Sequence, residues 1–533
     1  MSRGSSEQVE ILKYLGFACL LALVGVGAYL ITISAITETE PATVKKTHAS
    51  RPKQPIIHQF EPKSTKSERP LTPSRPAQDE SFEKQRAITF SDSDAMEEFL
   101  KKMNSDMRLL GRIDQLNTLL IGFNDLNGLE SMLGEDEESS MIYPVTIPPF
   151  ENVGAQAGSA PLGSGLLDWL GIEADHSLNG AGMKIAVLDT GIADHVVFSK
   201  PIERINLVPL PENAEDLNAH GTAVASLIFS GNPQTPGVAP GATPLSVRIA
   251  DDNGNSNSFL ISQGIIAAVD AGAQIINISM GGQGKSNIVD SAVAYAEQQG
   301  AVIVASAGNS GTEGVMQPAA NPSVIAVGAV DAKNNSLDFS TTGSEVDVSA
   351  PGYEVATAFP GDMAAQVNGT SFSAPITAGV IAGLASSSGT QNMTAKQAAA
   401  LMLENLNDVE TIGKDDSTGG GVPDMGRLAN KDVAGRYDAS INHIYTTDDG
   451  QVQVLVQNLG TETLINAGVS VALNGIATTA NITTLAPGES RVISVPAGQT
   501  ADLNIQSSVQ LSGDQVDQRP ANDSRSQTIP SPP

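Results

Sequence analysis

The 533-residue sequence predicts an α/β protein built on a doubly wound parallel sheet, with a small α+β domain before it and an all-β sandwich after it. Three observations predict this. Between Lys184 and Asn309, apolar runs that each end in a Gly-containing turn alternate with helical patterns. Residues 86–145 follow the order β-α-β-β-α-β. Beyond Asp438 the apolar residues switch to a period of two.

Composition narrows the function classes. The chain carries 40% hydrophobic and 17% charged residues, enough apolar material for a sizeable core at a length that implies more than one domain. Acidic residues outnumber basic ones 59 to 30, for a net charge of −29. Such a balance argues against nucleic acid as a partner, because phosphate binding needs clustered Lys and Arg. The single cysteine, Cys19, excludes an intramolecular disulfide framework and a cysteine-rich metal site.

After a tail at 1–13, residues 14–36 hold no charged side chain and are long enough to span a bilayer as a helix. The alternative is a cleaved signal peptide, whose apolar core is shorter; Thr32-Ile33-Ser34 is a poor match to its small-residue cleavage site. An uncleaved anchor is the favoured reading, with the membrane as a partner. Arg3 and Lys13 precede the segment and Lys45, Lys46, Arg51 and Lys53 follow it, so a count of positive charges leaves the orientation open. Residues 37–85 are rich in Pro, Lys, Ser and Thr and read as an extended linker.

In 86–145, Ala87–Phe90 is strand-like, and Asp94 with Glu97 gives a helix-start pattern before Met96, Phe99, Leu100 and Met103. Met107–Ile113 and Leu116–Phe123 read as strands, Leu126, Leu129 and Leu133 as a short helix, and Ser140–Val145 as a last strand. Residues 146–437 form the central domain. Lys184–Leu188 is apolar on both faces, as buried parallel strands are, and ends in Asp189-Thr190-Gly191, the end at which open α/β sheets place their sites. Thirty-one residues later, His220-Gly221-Thr222 opens a helix of small residues. Ile275–Ser279 runs into Met280-Gly281-Gly282, and Val302–Ala307 into Gly308-Asn309. Gly369-Thr370-Ser371-Phe372-Ser373-Ala374-Pro375 opens another small-residue helix.

Taken singly, Asp189 is a turn residue, His220 a structural histidine and Ser371 an ordinary helix cap. Together they supply one chemistry. A serine hydroxyl becomes nucleophilic when imidazole takes its proton, and a carboxylate holds that imidazole in the right tautomer. The developing oxyanion needs fixed donors, and the Ser371 backbone N–H and the Asn309 amide are the available pair.

With these motifs in order, residues 166–437 resemble the subtilisin-like serine proteases, or subtilases. Gly237-Val238-Ala239-Pro240, the run Pro322–Ala329 and the run Val346–Gly352 add further matches. The resemblance implies a serine endopeptidase acting on proteins or peptides, with Asp189, His220 and Ser371 as the triad and Asn309 in the oxyanion hole. It implies that 86–145 is an inhibitory propeptide of ferredoxin-like fold, cut between about Ile142 and Ala160. It also implies that substrate strands pair along Ser279, Met280 and Gly281. Ala305, Ser306 and Ala307 would line the other wall of the main specificity pocket, with Met316 near its floor, which favours apolar side chains before the scissile bond. Phe372, Ser373 and Ala223 depart from the commoner residues without touching the triad. Phe198 stands where the strong calcium site has an acidic ligand, and the partner loop 232–236 is short with two prolines, so no metal or other cofactor is assigned.

Residues 438–528 read as an immunoglobulin-like sandwich of about seven strands: Val452, Val454 and Val456 alternate with Gln451, Gln453 and Gln457. It resembles accessory domains of bacterial exported proteins. Residues 529–533 read as a disordered tail. The whole is expected to be a membrane-tethered zymogen with an exported catalytic domain, released on self-cleavage. The alternative is a catalytically inactive subtilase-fold protein that binds or adheres.

Overall fold

The computed structural model describes residues 81–147, 159–172, 175–211, 217–312, 314–386, 393–446, 450–497 and 503–529. The expected anchor at 14–36, nearly all of the linker and the last four residues lie outside them. Among the described residues no helix is long and apolar enough to cross a membrane.

The N-terminal domain contains β1 (Gln85–Thr89), α1 (Ser93–Lys102), β2 (Met107–Ile113), β3 (Thr118–Phe123), α2 (Leu126–Glu130) and β4 (Glu138–Met141). Its antiparallel sheet has the order β2-β3-β1-β4. Ile88, Met96, Phe99, Leu119, Ile121 and Leu129 close its core against the two helices. The helix start differs from the sequence expectation: Asp92, not Asp94, caps α1, its side chain accepting from Ala95 N at 2.8 Å. The last strand differs more. Ser140–Val145 is not continuous, because β4 ends at Met141 and a separate strand, β5 (Pro144–Thr146), leaves the domain for the catalytic domain.

The central domain follows with β6 (Lys184–Asp189), β7 (Glu203–Asn206), α3 (His220–Phe229), β8 (Thr243–Arg248), β9 (Asn255–Asn257), α4 (Ser258–Asp270), β10 (Ile275–Ile278), α5 (Asn287–Gln298), β11 (Val302–Ser306), β12 (Val324–Val330) and β13 (Val346–Pro351). The hairpin β14 (Val355–Phe359) and β15 (Met363–Val367) leads into α6 (Thr370–Ser386), and α7 (Ala395–Leu403) follows. Seven strands form one parallel sheet in the order β13-β12-β11-β10-β6-β8-β7. Both of its faces are apolar, as the unbroken hydrophobic runs require: Val187, Ala223, Val224 and Ile376 pack on one, Ile265, Ile276 and Val289 on the other. Because α6 is buried all round except at its last residue, it carries small and apolar residues on every face, where a surface helix would show a charged, polar stripe.

The sandwich is β16 (Ala439–Thr446), β17 (Gln451–Asn458), β18 (Leu464–Leu473), β19 (Ile476–Leu485), β20 (Ser490–Pro496), β21 (Leu503–Gln510) and β22 (Ser524–Ile529). Sheets β16-β17-β20 and β19-β18-β21-β22 face each other across Val454, Val456, Val469, Val471 and Ile505. Ile529, expected in the tail, ends the last strand. Gln457 is buried rather than outward, because its amide oxygen accepts from Asp408 N at 3.0 Å across the junction with the catalytic domain. Arg519 bonds Asp424 Oδ2 at 2.7 Å there.

Asp438 begins the sandwich at 3% exposure, and burial pushes its carboxyl up to about 6 against the opposing pull of the Asn522 hydrogen bond and the Arg519 guanidinium. A folded value above the unfolded one means that this group's stabilising contribution is complete below about pH 4 and is lost as pH rises through about 6. Asp438→Asn, which cannot ionise, should therefore gain on the wild type between pH 4 and 8 in thermal unfolding. A gap that stays constant with pH would contradict this.

Candidate active site

Asp189 is the last residue of β6 and is fully buried. Its Oδ1 accepts from Thr190 N at 2.7 Å, and the Thr190 hydroxyl lies 3.2 Å from the same oxygen. His220 opens α3, and its Nδ1 sits 2.9 Å from both Asp189 oxygens. A carboxylate only accepts, so Nδ1 carries the proton and Nε2 is the basic nitrogen of the neutral ring. The turn that holds this pair is built for close approach. A β-carbon on Gly221 would lie 2.3 Å from Gly191 O, so no larger residue fits beside the triad histidine. Gly221 N in turn donates to the Thr190 hydroxyl at 3.1 Å.

Ser371 is the second residue of α6, 2% exposed, and its hydroxyl donates to Ser279 O at 3.1 Å. The ring of the following residue, Phe372, lies against His220 with centroids 5.6 Å apart. Pro375 contributes to the serine's position in a way the sequence alone did not disclose. A proline has no N–H, so the carbonyl four residues back, that of Ser371, loses its helical partner. The Ser279 hydroxyl replaces it, donating to Ser371 O at 2.7 Å, while Asn277 Nδ2 donates to the same hydroxyl at 3.0 Å. The end of β10 is thereby fastened to the first turn of α6.

Asn309 has a fixed orientation as well. Its Oδ1 accepts from Thr370 N and from Thr370 Oγ1, both at 2.9 Å, which turns the Nδ2 donor the other way. Gly369 has φ +138°, and a β-carbon there would stand 3.0 Å from that Nδ2. Gly369 thus leaves the amide a clear approach.

Sequence reasoning missed Arg248. It is fully buried at the carboxyl end of β8, beside Asp189 in register. Its guanidinium donates to Thr190 O, to Pro209 O at 3.1 Å and to Asp252 Oδ2 at 3.1 Å, bracing the turn that carries Asp189. The available signal was a lone cation ending an apolar strand.

Of the expected substrate-contacting residues, Met280 and Ala305 point into the core, whereas Gly281 meets an incoming strand through its backbone. That strand is β5. It pairs antiparallel with β9, Thr146 N donates to Gly281 O at 3.2 Å, and Ile147 N donates to Gly254 O at 3.0 Å. Among the described residues no group of three His, Cys, Asp or Glu side chains is arranged to hold a metal ion.

Removing the Ser279 hydroxyl in Ser279→Ala strands the Ser371 carbonyl in a buried site. This should cost about 1–3 kcal/mol of stability in denaturant unfolding. Pro375→Ala in the same background should restore part of that loss by returning an N–H to the Ser371 carbonyl.

The subtilase family model matches residues 180–421, which span Asp189, His220, Arg248, Ser279, Asn309 and Ser371. M-protease of Shouchella clausii is 33% identical over 305 residues, 55% of this chain and 79% of its own length. Thermophilic serine proteinase of a Bacillus species is 36% identical over 246 residues, 45% of this chain and 61% of its own. Thermitase of Thermoactinomyces vulgaris is 37% identical over 215 residues, covering 39% and 77%. With a buried Asp–His pair, a serine at a helix start and these likenesses along one continuous domain, the chain belongs to the subtilase family and is a serine endopeptidase.

Proposed function

We propose that Asp189, His220 and Ser371 carry out peptide-bond hydrolysis by an acyl-enzyme route, with Asn309 Nδ2 and the Ser371 backbone N–H as oxyanion donors. The observation that carries this reading is the bond from His220 Nδ1 to both Asp189 oxygens at 2.9 Å. His220 Nε2 takes the Ser371 proton as Oγ attacks the carbonyl carbon, then returns it to the leaving amine. Negative charge on the carbonyl oxygen is met by the Asn309 amide and the first-turn N–H of α6. Water repeats the cycle on the acyl-enzyme. A serine-directed fluorophosphonate should label the wild type and leave Ser371→Ala unlabelled; equal labelling of the two would overturn the assignment.

The N-terminal domain is the inhibitor in this reading. Two features support that role: the order β2-β3-β1-β4 makes a compact independent sheet, and β5 lies between β9 and Gly281, along the edge a substrate would use. The activating cut then falls after Ile147, within the Ile142–Ala160 window. With 14–36 as an uncleaved anchor, that cut separates the catalytic and sandwich domains from the membrane of an exported protein. Cells producing the wild type should release a soluble form that cells producing Ser371→Ala retain in the membrane fraction. Equal release from both would refute self-processing.

A further inference from the structure

The joint between the catalytic domain and the sandwich holds a cleft of about 240 Å³. Trp169, Asn334 and Asn407 line it from the catalytic side, and Ser440, Asn522 and Arg525 from the sandwich. At roughly 30 Å³ for each water in the liquid, that is far more room than one bridging water needs.

The sandwich wall carries polar groups that the protein does not satisfy. Arg525, in β22, is held by one corner of its guanidinium, Nη1 donating to Asn442 O. Nε and Nη2, the two donors of the opposite edge, are buried without a partner. Asp331 is the carboxylate whose charge reaches Arg525, yet its own oxygens accept from Ala160 N, Lys333 N and the Asn335 amide. A guanidinium keeps its charge, so an unmet buried edge is costly. Asn522, on the same side of the cleft, is fixed by Nδ2, which donates to Asp438 Oδ1 at 2.9 Å. Its Oδ1 is then a buried acceptor without a partner.

Two donors and one acceptor in a single wall limit the chemistry of an occupant. A carboxylate only accepts, so it would answer Arg525 and leave the Asn522 oxygen unmet. It would also be repelled by Asp424, which lines the cleft, and by Asp438 behind Asn522. Adjacent hydroxyls carry no charge and both accept and donate. The catalytic side adds an apolar surface: the Trp169 indole, pinned by its Nε1 to Asn334 Oδ1 at 3.1 Å, with Val422 and Pro423 beside it.

We propose that this cleft is a saccharide-binding site that takes one neutral pyranose ring, its adjacent hydroxyls meeting Arg525 and Asn522 and its C–H face resting on Trp169. The inference goes beyond peptide hydrolysis and does not depend on it. Because the walls come from both domains, the ring binds only when the sandwich is docked, and binding therefore stabilises the docked state.

Trp169 is the one tryptophan of the sequence, so its emission reports on the cleft directly. Full-length chain carrying Ser371→Ala, which cannot digest itself, is titrated with glucose, galactose, mannose and N-acetylglucosamine in buffer free of sugar-based detergent. At least one sugar should change the emission saturably and raise Tm by about 2 °C or more at saturation. Adding Arg525→Met should weaken the saturable response by about tenfold or more, as loss of bonds from a charged donor does. General stabilisation by sugars excluded from the surface does not saturate and acts on both proteins alike. Asn522→Ala makes the same comparison if Arg525→Met does not fold. No saturable response to any of the four sugars, or one that survives the substitutions, would overturn the inference. A saturable response to inorganic phosphate or acetate alone, at fixed ionic strength, would overturn it too by making the cleft an anion site.

Discussion

A carboxylate buried away from water must be met by donors, and the surroundings of Asp189 follow from that requirement. Thr190 supplies a backbone N–H and a hydroxyl, and His220 supplies Nδ1–H to both oxygens. Each donor then needs its own support. The Thr190 carbonyl is held by Arg248, which is itself braced by Pro209 O and Asp252. His220 can reach the carboxylate only because Gly221 passes close to the Gly191 carbonyl. The parallel sheet makes this convergence possible, since it delivers the carboxyl ends of β6, β8 and β10 to one edge.

The serine side is held by a different device. Pro375 removes one helical bond, and the β10 extension uses the vacated carbonyl as its anchor through Ser279. Helix, sheet and nucleophile are thus joined at a single acceptor. A local irregularity of sequence, a proline in the first turns of a helix, becomes a long-range constraint between residues 279 and 371.

Much of this was legible in the sequence, and the limits have physical causes. The parallel strands are apolar on both faces and end in Gly-containing turns, so Lys184–Asp189 and Ile275–Ile278 stand out locally. The helical patterns at 258–271 and 288–299, on either side of Ile275–Ile278, become α4 and α5, each within a residue or so of its ends. Strand β9 was not, because Asn255-Ser256-Asn257 has no apolar alternation and is held through its backbone by β5. The break after Met141 has the same origin: β4 and β5 are both extended, and only the change of partner separates them. Gln457 looked like a solvent-facing residue because the alternating pattern of β17 cannot record that a second domain covers its outer face. Arg248 and the Ser279–Ser371 bond depend on contacts across 58 and 92 residues, distances at which local periodicity carries no information.

If β5 is the inhibitory strand proposed above, its being part of the same chain as the cleft has a further consequence. A tethered competitor does not dilute. Its effective concentration is on the order of millimolar for a short connection, whatever the protein concentration. A free peptide seeking the Gly281 edge must therefore outcompete a neighbour that never diffuses away. In that reading, severing the chain beyond Ile147 changes the physics without altering a contact: occupancy becomes an ordinary bimolecular equilibrium, and volume alone then favours an open cleft.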